Sequence, residues 1–185
     1  MSVVSVMTHP DRQEWLNLTS ELTSYLLDLG NSVRMIPVEA EAIGKPELAC
    51  PPEHFADGAD LALSVGGDGT MLRTFERVAK FDVPVLGINV GLLGYLAEFE
   101  AEEAKGAIGA ALKGELPVEE RLMVESRIER TTGEIEGPWT GLNEAVIEKK
   151  SQGHTVRLEV TIDGSVFATY AGDGLIVSTP TGSTA

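Results

Sequence analysis

The sequence predicts two domains of different classes: an α/β domain over residues 1–116 and a mainly antiparallel β domain over residues 117–185. In the first range, short apolar runs alternate with stretches of helical periodicity, which is typical of a parallel sheet covered by helices on both faces. In the second range only strand-like runs occur, and Asp163-Gly164 between two of them indicates a hairpin turn. The pattern changes at Gly114-Glu115-Leu116-Pro117, where we place the boundary.

The N-terminal pattern predicts a strand and an amphipathic helix. Val3 to Met7 is a β-branched run that ends at a Thr-His-Pro turn, and Asp11 is the expected N-cap of the helix that follows. Gly30 suits the C-terminal cap of this helix. Its apolar residues recur at spacings of three and four and form one face: Trp15, Leu18, Leu22, Tyr25, Leu26 and Leu29.

The next segments predict a second strand, a long loop and a third strand. Ser32 to Val38 is the second strand, and Glu39 to Asp57, which contains three prolines, is a loop with at most one helical turn. Leu61 to Val65 is a short apolar run of the length expected for a buried parallel strand. A glycine turn follows, and then a helix with these residues on its apolar side: Leu72, Phe75, Val78 and Ala79.

The remaining elements complete the two predicted domains. Pro84 to Val90 is a fourth strand that enters a second glycine turn, and the Ala- and Glu-rich segment from Glu100 to Lys113 is a helix. Five strands are predicted beyond the boundary: Leu122 to Glu129, Leu142 to Ile147, Val156 to Ile162, Ser165 to Tyr170 and Leu175 to Ser178. Five strands are few for a stable β domain, so we expect the natural chain to continue past Ala185.

The charge balance argues against two classes of partner. The 29 acidic residues outnumber the 14 basic residues and give a net charge of -15. A nucleic-acid binder needs basic surface, and adsorption to anionic membranes needs it too, so we expect neither partner. No segment approaches the roughly 20 apolar residues of a membrane span, and the N-terminus lacks the basic region of a signal peptide. We therefore expect a cytoplasmic protein.

The segment Gly66-Gly67-Asp68-Gly69-Thr70 raises the main functional question. A glycine-rich turn that enters a helix exposes backbone N–H groups suited to phosphate, yet this turn carries an anion and no lysine. It is neither a P-loop nor the dinucleotide fingerprint, because Gly-Lys-Ser/Thr and the third glycine are missing. Taken alone, it is either a tight turn capped by Asp68 or a ligand loop at the carboxyl end of a strand.

Three further segments favour the ligand loop. GINVGLLGYL, residues 87–96, is a second strand that runs into a glycine turn. GLNEAVIEK, residues 141–149, places Asn143 and Glu144 at the start of an apolar strand. DGLIVSTPTGSTA, residues 173–185, sets Asp173 before a strand and a Thr/Ser/Gly-rich turn after it. Each segment alone is explained by turns and caps, but their order and spacing together are specific.

These four segments resemble the NAD kinases over most of the chain. The GGDGT loop alone is also shared with diacylglycerol kinases, sphingosine kinases and, more distantly, phosphofructokinases. The LNE and TPTGSTA segments are what indicate the NAD branch. The resemblance implies a Rossmann-like domain followed by a β-sandwich domain, with NAD between them. It implies transfer of the γ-phosphoryl group of ATP, or of polyphosphate, to the 2′-hydroxyl of the adenosine ribose of NAD.

The resemblance also implies roles for individual residues. Asp68 is expected to be the proton acceptor, and Gly69 to contact the same ribose and phosphate. Arg73 is expected to face the phosphates, and the alternative is an ordinary solvated arginine of the helix. Asn143 and Glu144 are expected to bind the adenosine half of NAD. The remaining candidates are Asp173 near the nicotinamide, Thr184 and Ala185 at the adenine-side turn, and His154, where many relatives have Arg or Lys.

Cofactors, partners and alternatives follow from the same resemblance. A divalent ion, usually magnesium, accompanies the phosphates, and because no residues show metal-ligand spacing we expect the phosphates to hold it. A homodimer or homotetramer is expected. Two other readings stay open: a lipid kinase that shares the GGDGT loop, and a non-catalytic dinucleotide-binding module.

Overall fold

The chain forms two compact units, Met1–Glu119 and Glu120–Ala185. The computed structural model describes residues 1–91, 94–97, 99–151 and 153–184. We call these units the N-terminal unit and the C-terminal unit. Within the described residues, no helix is long and apolar enough to cross a membrane.

The N-terminal unit is built on a five-stranded parallel sheet in the order β2-β1-β3-β4-β5. All five residues of β3 are buried, as expected for a central strand covered on both faces. The predicted parallel α/β architecture is therefore confirmed. The strands are β1 (Val3–Met7), β2 (Ser32–Arg34), β3 (Leu61–Val65), β4 (Val85–Asn89) and β5 (Phe99–Glu100).

Helices cover this sheet and complete its core. They are α1 (Gln13–Asp28), α2 (Pro37–Ala42), α3 (Asp68–Val78) and α4 (Ala104–Leu112). On α1, Leu22 and Leu26 pack into the core cluster as the periodicity predicts, whereas Leu29 lies past the end of the helix and is exposed. Gly30 ends the helix with φ +78 and donates its N–H to the carbonyl of Leu27, which confirms the predicted cap.

The structure corrects the predicted elements around β2. The strand ends at Arg34, because Pro37 begins α2 with a proline in its first turn, the position that proline tolerates best. The predicted loop 39–57 thus starts inside a helix and also contains two short 3-10 turns, Pro46–Leu48 and Pro52–His54. The predicted cap Asp11 is wrong as well, since Arg12 occupies the N-cap position of α1 without a side-chain hydrogen bond.

Two further helix predictions need correction. Because α3 begins at Asp68, inside the glycine turn, its buried face is shifted to Thr70, Met71, Thr74 and Val78, and only Val78 belonged to the predicted face. The predicted helix 100–113 begins later, at Ala104, since Phe99–Glu100 pairs with β4 as an edge strand.

The C-terminal unit consists of antiparallel strand pairs, which confirms the predicted class. Three two-stranded sheets are formed: β6 with β7, β8 with β11, and β9 with β10. The strand β7 was missed by the sequence patterns, and Asp163-Gly164 forms the predicted hairpin turn between β9 and β10. The strands are β6 (Val124–Glu129), β7 (Ile135–Gly141), β8 (Glu144–Glu148), β9 (Val156–Ile162), β10 (Ser165–Gly172) and β11 (Gly174–Ser178).

Candidate active site

The glycine loop Gly66–Gly69 connects β3 to α3 at the carboxyl end of a central strand. Gly66 has φ +149, and a Cβ added there would lie 2.8 Å from the ring of Trp15. Its N–H donates to the carbonyl of Ile88 on β4 at 2.9 Å. Gly66 is therefore required both by its backbone conformation and by the close approach of an aromatic ring.

Asp68 joins this loop to the second glycine turn. Its two carboxylate oxygens accept the backbone N–H groups of Tyr95 and Leu96, each at 3.0 Å. A Cβ added to Gly94 would lie 2.7 Å from Cγ of Asp68, so the turn approaches the carboxylate as closely as a glycine allows. The side chain of Asp68 is half-buried. Two segments that the sequence showed only as separate motifs are thus tied together by one carboxylate.

Arg73 and Gly69 lie on the same helix as Asp68. Gly69 is exposed in the first turn of α3, with no atom within 4 Å of an added Cβ. Arg73 donates from Nη2 to the carbonyl of Thr8, just past the end of β1, at 2.9 Å. Its Nη1 lies 3.9 Å from Oε1 of Glu39, while 42% of the Arg73 side chain stays exposed. Arg73 is therefore held by a hydrogen bond at one edge of its guanidinium, and the rest of its side chain is partly exposed to solvent.

Glu39 is a buried acid that the sequence patterns did not identify. It lies on α2 with no exposed surface, and its Oε2 accepts the N–H of Thr8 at 2.9 Å. Burial raises the pKa of Glu39 to about 7, opposed by the Thr8 N–H and by the positive charges of Arg73 and Arg77. Because the predicted loop 39–57 implied solvent exposure, no signal in the sequence marked this carboxyl.

In the C-terminal unit, the two other motif segments meet. β8 and β11 pair so that Glu144 is opposite Ser178, which places the turn after β11 beside Asn143. The backbone carbonyl of Asn143 accepts the N–H of Thr179 at 2.8 Å, and an added Cβ on Gly182 would overlap the backbone of Asn143. The predicted candidates Asn143, Glu144 and Thr184 thus belong to one cluster of loops, in which Thr184 ends a short 3-10 turn, Gly182–Thr184.

Thr179 holds this cluster together and was missed by sequence reasoning. Its hydroxyl donates to the carbonyl of Leu142 at 2.5 Å and accepts the N–H of Gly182 at 3.1 Å. Thr179, Leu142 and Gly182 are also the only buried residues among those the structure describes in the C-terminal unit. The well-packed part of this unit is therefore the part that carries the motifs.

Asp173 and His154 lie outside that cluster. Asp173 is at the other end of the β8–β11 pair, where its carboxylate accepts a hydrogen bond from Nζ of Lys149 at 2.5 Å. Its side chain is 74% exposed. His154 is exposed in the loop before β9. Ala185, the last predicted site residue, lies outside the described residues.

The acidic residues that the structure describes do not form a metal site on their own. Among the described residues, no group of three or more His, Cys, Asp or Glu side chains is arranged to hold a metal ion. Within this part of the chain, the side chains therefore offer no preformed metal centre.

Comparison with known families identifies the family of this chain. The model of the ATP-NAD kinase N-terminal domain matches residues 4–116, and that of the ATP-NAD kinase C-terminal domain matches residues 142–185. The chain belongs to the ATP-NAD kinase family. The predicted resemblance to the NAD kinases is thereby confirmed.

Individual NAD kinases are similar along the chain. The NAD kinase of Symbiobacterium thermophilum is 37% identical over 185 residues, which are 100% of this chain and 65% of that protein. The NAD kinase of Tolumonas auensis is 41% identical over 145 residues, 75% of this chain and 49% of that protein. The chain thus spans less than two thirds of the length of these relatives.

Solved structures of the family share the fold. The crystal structure of yeast NADH kinase complexed with NADH matches with a TM-score of 0.90 at 23% identity, over 100% of this chain and 59% of that one. An NAD kinase from Archaeoglobus fulgidus, in complex with ATP, matches with a TM-score of 0.67 at 22% identity, over 98% of this chain and 62% of that one. This likeness confirms the predicted fold class.

Proposed function

We propose that the protein phosphorylates the 2′-hydroxyl of the adenosine ribose of NAD and so produces NADP, with ATP or polyphosphate as the donor. Its membership in the ATP-NAD kinase family supports this reaction. The observation that carries it is Asp68, a half-buried carboxylate held at the start of a helix, where two glycine turns converge. In the proposed step, the ribose oxygen forms a bond to the γ-phosphorus, the bond from that phosphorus to the ADP oxygen breaks, and the hydroxyl proton passes to Asp68.

Asp68 retains the capacity to act as a base. Each of its oxygens accepts one backbone N–H, and an ionised carboxylate has about four acceptor positions in all. A ribose hydroxyl can therefore donate to a second position on either oxygen. The two N–H groups hold the carboxylate in one orientation, and this preorganisation favours proton transfer.

The other candidates receive the roles that the family resemblance implies. Gly69 and Arg73 are assigned to the ribose and phosphate contacts, because both lie on the first turns of α3. Asn143 and Glu144 are assigned to the adenosine half of NAD, and the neighbouring turn with Thr184 and Ala185 to its adenine side. Asp173 is assigned to the nicotinamide end, and His154 stays a further candidate. The domains are proposed to be residues 1–116 and an NAD-binding β domain over 117–185.

The ion and the assembly are also part of the proposal. Magnesium is proposed to enter with the phosphates of the donor, since a cation of this kind keeps most of its ligands from phosphate and water. We assign it no step of its own. A homodimer or homotetramer in the cytoplasm is proposed from the resemblance.

The test is an assay of the full-length protein with NAD, ATP and magnesium that detects NADP. Asp68→Asn is expected to lower kcat by about a hundredfold or more, because the amide cannot take up the proton and its NH2 group cannot accept the N–H of Tyr95 or Leu96. Asp82→Asn is the matched control, since Asp82 is exposed and has a positive φ that asparagine tolerates. NAD binding by calorimetry should persist in both variants.

Other outcomes would contradict the proposal. Near-normal kcat in Asp68→Asn would leave Asp68 as a clamp for the glycine turn and nothing more. Phosphorylation of diacylglycerol in place of NAD would identify a lipid kinase. NAD binding without turnover under any donor, polyphosphate included, would identify a non-catalytic module.

A further inference from the structure

The buried carboxyl group of Glu39 and the half-exposed guanidinium of Arg73 lie close together at the carboxyl edge of the sheet. Glu39 on α2 accepts the Thr8 N–H with Oε2, and its Oε1 has no hydrogen-bond partner within the described part of the chain. That oxygen lies 3.9 Å from Nη1 of Arg73, which is close enough for an ion pair but too long for a hydrogen bond. The guanidinium is therefore the charge that Glu39 faces at short range.

Thr8 is held from both sides by this pair. Its N–H is bonded to Glu39, and its carbonyl accepts Nη2 of Arg73 at 2.9 Å. The chain just past β1, α2 and α3 are thus linked through a single residue. Removing the Glu39 carboxylate would free the Thr8 N–H at the end of β1 and take away the counter-charge of Arg73.

Arg73 lies near the proposed phosphate loop. It is five residues after Asp68 on α3, a rise of about 7.5 Å along the helix. A guanidinium is planar and recognises phosphate through a fixed fork of donors, so its orientation decides which oxygens it can reach. An arginine with 42% of its side chain exposed would sample several orientations without an anchor.

We propose that Glu39 is a positioning residue for Arg73, fixing its guanidinium at the end of β1 so that the open edge meets the donor phosphates. This inference rests on the proposed function, in which Arg73 faces those phosphates. Glu39 itself touches no substrate, because it has no exposed surface.

The ionisation of Glu39 gives this arrangement a direct readout. Burial raises its pKa to about 7, so its charge changes close to neutral pH. The charged groups that face it are Arg73 and Arg77, both from α3, and from the end of β1 it meets the Thr8 N–H. Below the pKa of Glu39, Arg73 loses its counter-charge and keeps only its bond to Thr8.

NMR spectroscopy tests the positioning without any catalytic assay. The Nε–H signal of Arg73, assigned by its absence in Arg73→Lys, is expected to titrate with a midpoint near pH 7. Glu39→Gln keeps the shape and the acceptor for Thr8 and should abolish that titration. Glu41→Gln is the matched control, because Glu41 is exposed on the same helix and the titration should persist. A flat signal in the wild type, or one that still titrates in Glu39→Gln, overturns the proposal.

Kinetics of the full-length protein test the consequence for the site. Glu39→Gln is expected to raise the KM for ATP about fivefold with little change in kcat. A fivefold change lies within the range of interaction free energies measured between contacting residues. In an Arg73→Ala background the same substitution should add nothing. An equal effect in both backgrounds, or a rise confined to the KM for NAD, contradicts the proposal. Absence of NADP formation in the wild type would refute the proposed function alone, since the NMR titration would still report on the pair.

Discussion

Replacing Glu39 with Gln is expected to change how the stability of the N-terminal unit depends on pH. Burial raises the pKa of this carboxyl from 4.5 to about 7 in the folded chain. A carboxyl with the higher pKa in the folded state binds its proton more tightly there. Its contribution to stability is therefore complete below pH 4.5 and is lost as the pH rises through about 7.

The size of the effect follows from the two pKa values. A rise from 4.5 to about 7 corresponds to about 3 kcal/mol in the free energy of unfolding. The wild type should lose this amount between acid and mildly alkaline pH, whereas Glu39→Gln has no proton to lose. The stability of the variant relative to the wild type should therefore rise with pH by about 3 kcal/mol.

Urea unfolding at a series of pH values measures this difference. Trp15 reports on the N-terminal unit once the other tryptophan, in β7, is removed by Trp139→Phe. Glu41→Gln, which changes an exposed carboxyl on the same helix, should run parallel to the wild type. The reasoning is refuted if the Glu39→Gln and wild-type curves also run parallel, because Glu39 would then titrate alike in the folded and unfolded chains.

Two further substitutions probe the two loop clusters. Gly94→Ala should displace the Asp68 carboxylate and lower kcat severalfold or more. It should also reduce the free energy of unfolding, measured with urea, by about 1–3 kcal/mol. The control is Gly106→Ala, in open space on α4, which should be neutral or stabilising. Unchanged kcat in Gly94→Ala would show that the clamp does not matter for turnover. Thr179→Val should cost about 1–3 kcal/mol in the C-terminal unit, because it leaves a buried carbonyl and a buried N–H unpaired. Thr179→Ser should restore most of that loss, and equal stability of the two variants would contradict the assigned hydrogen bonds.

The parallel sheet was predictable because its signals are local. Val3–Met7 and Leu61–Val65 are apolar runs with no competing periodicity, and both form strands with those bounds. In α1 the spacing of Leu22 and Leu26 identified the buried face, and Gly30 marked its end. The hairpin at Asp163-Gly164 likewise depends on two adjacent residues whose backbone preferences fix the turn.

The errors arose where tertiary contacts outweigh local preference. The apolar residues around Pro37 suggested a longer strand, but the proline starts a helix whose Glu39 is buried against Thr8. The strand Ile135–Gly141 contains two glycines and a proline, which disfavour strands, and it forms by pairing with β6. The local sequence patterns reveal neither the contact of Glu39 with Thr8 nor the pairing of β7 with β6.

The candidate site likewise contains residues that the sequence identified and residues that it did not. The motifs marked Asp68, Asn143 and Glu144, since glycines and polar residues at strand ends are visible in the sequence. Glu39 and Thr179 were not marked, because each acts through a partner that is distant along the chain. Sequence patterns thus located the motif loops, whereas Thr179, which holds one of them, and Glu39, which contacts Thr8 and Arg73, required the structure.

The contacts of Asp68 give a physical reason for a carboxylate in the first glycine turn. A bare anion in such a turn would repel a phosphate, but the two N–H groups of Tyr95 and Leu96 offset the charge of Asp68. The N-cap of α3 is Gly67, which has no side chain, and the Asp68 carboxylate is bonded to the backbone of the second glycine turn. Asp68 is therefore directed across to the second glycine turn, and its remaining acceptor positions are available to a hydroxyl. A glycine at position 94 is what makes this approach possible, so the two motifs depend on each other and neither explains the site alone.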